Sequence, residues 1–116
     1  MPVKTLEDLF AHNLSDVHNA EKQLTKIAPK LVKAAEHEEL GRLFQAQLED
    51  SQTTIEQLDR VVESSGIKLK RIKCAAMEGL IEEAKEIIDE GEAGPVRDAA
   101  LVGAAQKIIH YEIAAI

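Results

Sequence analysis

Four stretches of this chain repeat their apolar residues at steps of three and four, the spacing that puts a single buried stripe along an α-helix. Phe10, Leu14, Val17, Leu24, Ala28 and Leu31 mark the first stripe, and Leu40, Phe44, Leu48, Ile55, Leu58 and Val62 the second. Met77, Leu80, Ile81, Ala84, Ile87 and Ile88 define a shorter helix, and Leu101, Ala105, Ile108 and Ala115 a last one. Helices of this kind are stable only when each lays its stripe against another, so the pattern predicts an all-α bundle. The core has to come from Leu, Ile, Val and Ala, because aromatic residues are 3% of the chain and Trp is absent.

Punctuation between the stripes sets the connections. Thr5 and Asp8 form an S/T-x-x-acid start for helix A, expected over residues 5–35, with a kink near Thr25 and Lys26 caused by Pro29. Glu36 and His37 leave only a short turn, which forces helix B, residues 38–64, to run antiparallel beside helix A. Ser64, Ser65 and Gly66 close helix B, and the glycine suits a left-handed C-terminal residue. A basic, irregular run from Ile67 to Lys73 leads into a crossover helix over residues 74–90, stopped by Gly91. Gly94 and Pro95 then open helix C, residues 95–116. Residues 1–116 read as a single domain: a ferritin-like antiparallel four-helix bundle with a crossover helix. The stripe of helix C is still running at Ile116, with no glycine, basic last turn or polar tail after it, so a fourth long helix is expected to be missing from this chain.

Charge and cysteine content narrow the function. A formal charge of -7 disfavours a nucleic-acid partner, since phosphate backbones are bound by positive surfaces. Cys74 is the sole cysteine, so no intrachain disulfide can form, and MPVKTLEDLF lacks the apolar run of a signal peptide or membrane span. The expected location is the cytoplasm, with no membrane partner. No phosphate-loop, dinucleotide, zinc-finger or serine-hydrolase signature occurs.

The functional signal is acidic. Glu21 fills the one vacancy in the stripe of helix A between Val17 and Leu24, and Glu112 sits in the stripe of helix C between Ile108 and Ala115. A buried carboxylate without a partner costs several kcal/mol or shifts its pKa to become neutral, so each should meet a partner such as a metal ion or an arginine. A glutamate at the edge of a stripe can instead reach water and be merely structural. The hairpin register brings Glu21 level with residue 52 on helix B, where Glu49, Asp50, Ser51 and Gln52 interrupt the apolar pattern. Carboxylate-bridged two-metal bundles take one Glu from each of two helices and a Glu-x-x-His pair from each of the other two. No Glu-x-x-His occurs here; Glu49 with Gln52 and Gln47 with Asp50 are the alternative helix B pairs, and both stay open. His18 lies beside the stripe and reads as a satisfied or half-exposed histidine, and His110 points away from Glu112.

The segments LSDVHNAEKQL, VVESSGIKLKRIKCAAMEGLIEEAKEII and VRDAALVGAAQKIIHYEIAA resemble the YciE/YciF family of bacterial stress-associated, ferritin-like proteins, and within it the YciF branch. The resemblance runs nearly end to end. It implies a rubrerythrin-like four-helix bundle with a crossover helix, a homodimer, a two-metal carboxylate site and a further acidic helix beyond Ile116. Carried over by residue, Glu21 and Glu112 match the family's acidic positions. Relatives often have His where this chain has Gln47, at times where it has Gln52, and Glu in place of Asp50, so the helix B half of the site departs from the pattern.

The resulting expectation is a stress-response protein with a dinuclear metal site built from Glu21, Glu112 and either Glu49 or Asp50. Oxygen ligands without thiolate favour Fe or Mn over Cu or Zn, and would also suit Mg or Ca. Peroxide or oxygen handling would be the chemistry, on fold analogy. The competing expectation is a non-enzymatic helical structural or interaction protein that dimerises and has lost metal chemistry, its carboxylates being relics or paired with arginines such as Arg97. Cys74 is expected to be structural or incidental.

Overall fold

In the computed structural model, which describes residues 3–116, four helices follow one another: α1 (Leu6–Ala34), α2 (Glu38–Ser65), α3 (Ala75–Glu90) and α4 (Pro95–Ala115). The described residues form no strand. Each boundary lies within a residue of the one expected. Thr5 stands outside α1 as its cap, its hydroxyl accepting the Asp8 amide at 3.0 Å. Gly66 ends α2 at φ 71°, a left-handed conformation that only glycine takes without steric cost. Pro29 is accommodated inside α1, which runs on to Ala34.

Helix α1 is the centre of the molecule. Its 29 residues span about 44 Å, close to the 49 Å long axis of the protein, and it packs against α2, α3 and α4 in turn. Eleven of its residues are buried, whereas α2, almost as long, buries only Phe44 and Ser51. Leu48, Ile55, Leu58 and Val62 of the α2 stripe are half-buried, and at its other end Leu40 and Phe44 help to line a groove between α2 and α4, together with Leu43, Val102, Ile109 and Ile113. The densest packing is on the other side of α1. There Leu24, Leu31, Met77, Leu101 and Ile108 are essentially inaccessible, and α3 seals the pair α1 and α4.

Arg97 and Asp98 lock one end of the bundle. Arg97 donates to the carbonyl oxygens of Ala34 at 2.6 Å, Gly91 at 3.3 Å and Ile88 at 3.4 Å, tying the ends of α1 and α3 to the start of α4. Asp98 accepts the amides of Glu36 at 3.0 Å and His37 at 2.8 Å, and those two amide bonds hold its carboxyl below the usual range. The expectation that Arg97 neutralises a core carboxylate is corrected here. Its guanidinium is spent on backbone carbonyls, which α-helix C-termini present unpaired.

Candidate carboxylate site

Glu21 is 1% exposed, in phase with Val17, Leu24 and Ala28 on the face of α1 that the other helices cover. Glu112 is half-buried, one turn beyond Ile108 on α4. The two side chains meet and share a hydrogen bond. Burial raises the Glu112 carboxyl to about 8, helped by that bond and by the negative charges of Glu21 and Asp50. At neutral pH Glu112 thus retains a proton and donates it across the interface, as in other carboxyl pairs too close to ionise together. The second oxygen of Glu21, Oε2, is buried and has no hydrogen-bond partner.

The helix α2 contribution is now distinguishable. Asp50 is exposed at the rim of the α2/α4 groove and acts on Glu112 through its charge. Gln47 and Ser51 line the same groove of about 510 Å³ together with Asp50 and Glu112. The Gln47 Nε2 is buried without a partner, and Ser51 is 2% exposed. Glu49 and Gln52 are exposed and do not line the groove. The structure thus brings together Glu21, Glu112 and, more loosely, Asp50, and leaves Glu49 outside. His18 Nε2 lies 2.8 Å from Asp59 Oδ1, which satisfies it away from the pair, and His110 is exposed.

One neighbour escaped the sequence reading. Tyr111, beside Glu112, places its hydroxyl 3.0 Å from the Cys74 sulfur and 3.4 Å from Asp16 Oδ2. Burial pushes the phenol well above its ordinary range, so it remains a neutral donor. The Cys74 sulfur also accepts the Met77 amide at 3.4 Å, making this residue the cap of α3. The contact joins residues 37 positions apart, so no local spacing announces it.

A divalent cation is a chemically suitable occupant of a buried carboxyl pair, since it would replace the shared proton and satisfy the free oxygen of Glu21. The set is incomplete as it stands: among the described residues no group of three or more His, Cys, Asp or Glu converges to hold a metal ion.

Residues 5–116 match the family model described as a domain of unknown function, DUF892. The chain belongs to the DUF892 family. Among its relatives is Protein YciF of Escherichia coli K12, 56% identical over 115 residues, which cover 98% of this chain and 69% of that protein. The crystal structure of the E. coli stress protein YciF matches with a TM-score of 0.93 over 97% of this chain and 72% of that one. YcfI of Rhodopseudomonas palustris, described as a candidate structural protein, matches with a TM-score of 0.91 at 42% identity, with the same coverage of both chains. The resemblance to the YciE/YciF family is thereby established, and the fold of this DUF892 chain matches the part of those structures that it covers. No helix among its described residues is long and apolar enough to cross a membrane.

Proposed function

We propose that this chain is a ferritin-like, carboxylate-based metal-binding protein of the stress-protein group to which E. coli YciF belongs. The observation that carries the reading is the Glu21–Glu112 pair, in which the half-buried Glu112 has a raised carboxyl and the buried Glu21 keeps one oxygen unpartnered. Glu21 and Glu112 would hold the cation, with Asp50 supplying further negative charge at the groove. Hard oxygen donors favour Fe or Mn. A bound pair of such ions would supply peroxide or oxygen chemistry. The chain's own part is to keep two carboxylates together, to surround them with apolar side chains, and to hold the Tyr111 proton nearby.

The remaining ligands need a further element, and the α2/α4 groove is where a fourth long helix would lie. Its apolar wall, including Leu43 at 66% and Ile113 at 70% exposure, favours cover by such a helix. Leu6, Leu9 and Phe10, exposed together at the start of α1, suit a homodimer contact, which sedimentation would test.

Loading with Fe(II) or Mn(II) under nitrogen, followed by dialysis and elemental analysis, tests the site. The reading expects retained metal in the parent protein and its loss in Glu21→Gln. A parent that retains no metal would favour the second reading, a non-enzymatic helical structural protein. That reading draws on the absence of a Glu-x-x-His pair from the chain, with Gln47 and Gln52 on α2 where the ligand pairs would stand, and on the description of YcfI.

A further inference from the structure

The connection between α2 and α3, residues 67–73, carries four basic side chains that the carboxylate site does not use, in a protein of net charge -7. Two polar side chains of α1 fasten it down: Ser15 Oγ accepts the Lys70 amide at 2.9 Å, and Asn19 Oδ1 accepts the Cys74 amide at 2.7 Å. Between these anchors the Ile72 amide donates to the Lys70 carbonyl at 3.1 Å, a three-residue turn with Arg71 at its apex. The connection is thus held in one shape, and it leaves a pocket of about 330 Å³ against α1, lined by Ser15, His18, Asn19, Lys22, Lys70 and Arg71.

We propose that this pocket binds a small, soluble phosphate-type oxyanion, with Lys22, Lys70 and Arg71 supplying the positive charge. Basic groups of this chain that have a carboxylate to hand do pair with it: Lys73 with Glu78, Lys107 with Glu83 and Arg42 with Glu38. Among the described residues, Lys22, Lys70 and Arg71 make no such pair, although the chain carries 21 acidic residues. Three like charges around one concavity repel one another unless an anion sits among them. A guanidinium and two ammonium groups are the donors that recognise phosphate oxygens, the first through paired N–H bonds. His18, on the wall of the pocket, binds the carboxylate of Asp59 through Nε2 at 2.8 Å. A nucleic-acid strand is a poor fit, because the surface beyond this patch is acidic and would repel a long polyanion. The ligand is therefore a single phosphate or a small phosphate monoester.

The test is a titration of the uniformly 15N-labelled full chain, in the presence of a chelator, with inorganic phosphate and with glycerol phosphate, each against chloride at matched ionic strength. Saturable shifts confined to the amides of Ser15 to Lys22 and Lys70 to Lys73 are expected. The Lys70→Gln/Arg71→Gln double variant should weaken binding at least about tenfold through the lost charge-assisted bonds, and Lys30→Gln, on the same helix outside the pocket, should not. Both altered side chains are exposed, so the melting temperature should hold, and a single Lys22→Gln variant gives an independent reading should the double variant unfold. Shifts no larger than those of chloride, or spread over the whole surface, would overturn the proposal. So would binding to phosphatidic acid vesicles with none to either soluble phosphate.

Discussion

Asp98 accepts the backbone amide of His37 at 2.8 Å, across 61 residues of sequence, so the first turn of α4 caps the start of α2. The same carboxylate holds the Glu36 amide, and together the two bonds fix the elbow between α1 and α2. Asp98→Ala would remove the partner of two amides at a partly buried junction and is expected to lower the melting temperature by a few degrees, with a smaller loss in Asp98→Asn. Its lowered carboxyl gives the sign of the acid response. The stabilisation is present above the ordinary carboxylate range and disappears as pH falls through the depressed folded value, so the Asp98→Ala deficit should shrink in acid. Thermal melts of both variants across an acid series check this.

The densest part of the core should respond as a packed interior. Leu24 is fully inaccessible between α1, α3 and α4, and Leu24→Ala should cost about 3 kcal/mol in urea unfolding. Ile113, 70% exposed on the groove wall, should change stability by less than about 0.5 kcal/mol when cut to Ala in an isolated monomer. A large cost at Ile113 would mean that the groove is filled in solution.

Cys74 separates a capping role from an incidental one. Serine keeps an acceptor for the Met77 amide and a partner for the Tyr111 hydroxyl, so Cys74→Ser should be close to neutral. Cys74→Ala removes both and should cost about 1 kcal/mol. Equal stability of the two variants, measured by denaturant unfolding, would show that the thiol does no capping.

Much of this was legible in the sequence because helix stripes are local. The four helices lie within a residue of their expected ends, and Glu21 and Glu112 stood out because each occupies an apolar position in a regular repeat. A stripe does not say which neighbour it meets. The periodicity of α2 predicts a core face, yet the structure fully buries only Phe44 and Ser51 along it. That Asp50 and not Glu49 lines the α2/α4 groove depends on which side of α2 faces α4, a tertiary fact. The Arg97 contacts and the Cys74–Tyr111 pair were invisible for the same reason, since they connect backbone and side chains far apart in the chain.

The raised Glu112 carboxyl predicts an unusual pH dependence of stability. Its folded value, about 8, lies above the ordinary 4.5, so the folded state holds a proton that the unfolded chain has released between the two. The contribution is complete below the lower value and is lost as pH rises through the upper one. Without metal, the protein should therefore gain about 1–2 kcal/mol between weakly alkaline and weakly acid solution, after allowance for solvent screening of this half-exposed group. Glu112→Gln should flatten the profile. Excess Mn(II) should reverse it, because protons then compete with the cation.

The most direct measurement is a 13C titration of the Glu112 side-chain carboxyl by NMR, first without metal and then with a diamagnetic divalent ion such as Mg(II). The carboxyl pair described here predicts a midpoint near 8 without metal, a fall towards the ordinary range in Glu21→Gln, and a fall in the parent protein as the ion is added. A midpoint near 4.5 that neither the substitution nor the ion moves would contradict the shared proton and the metal site built on it.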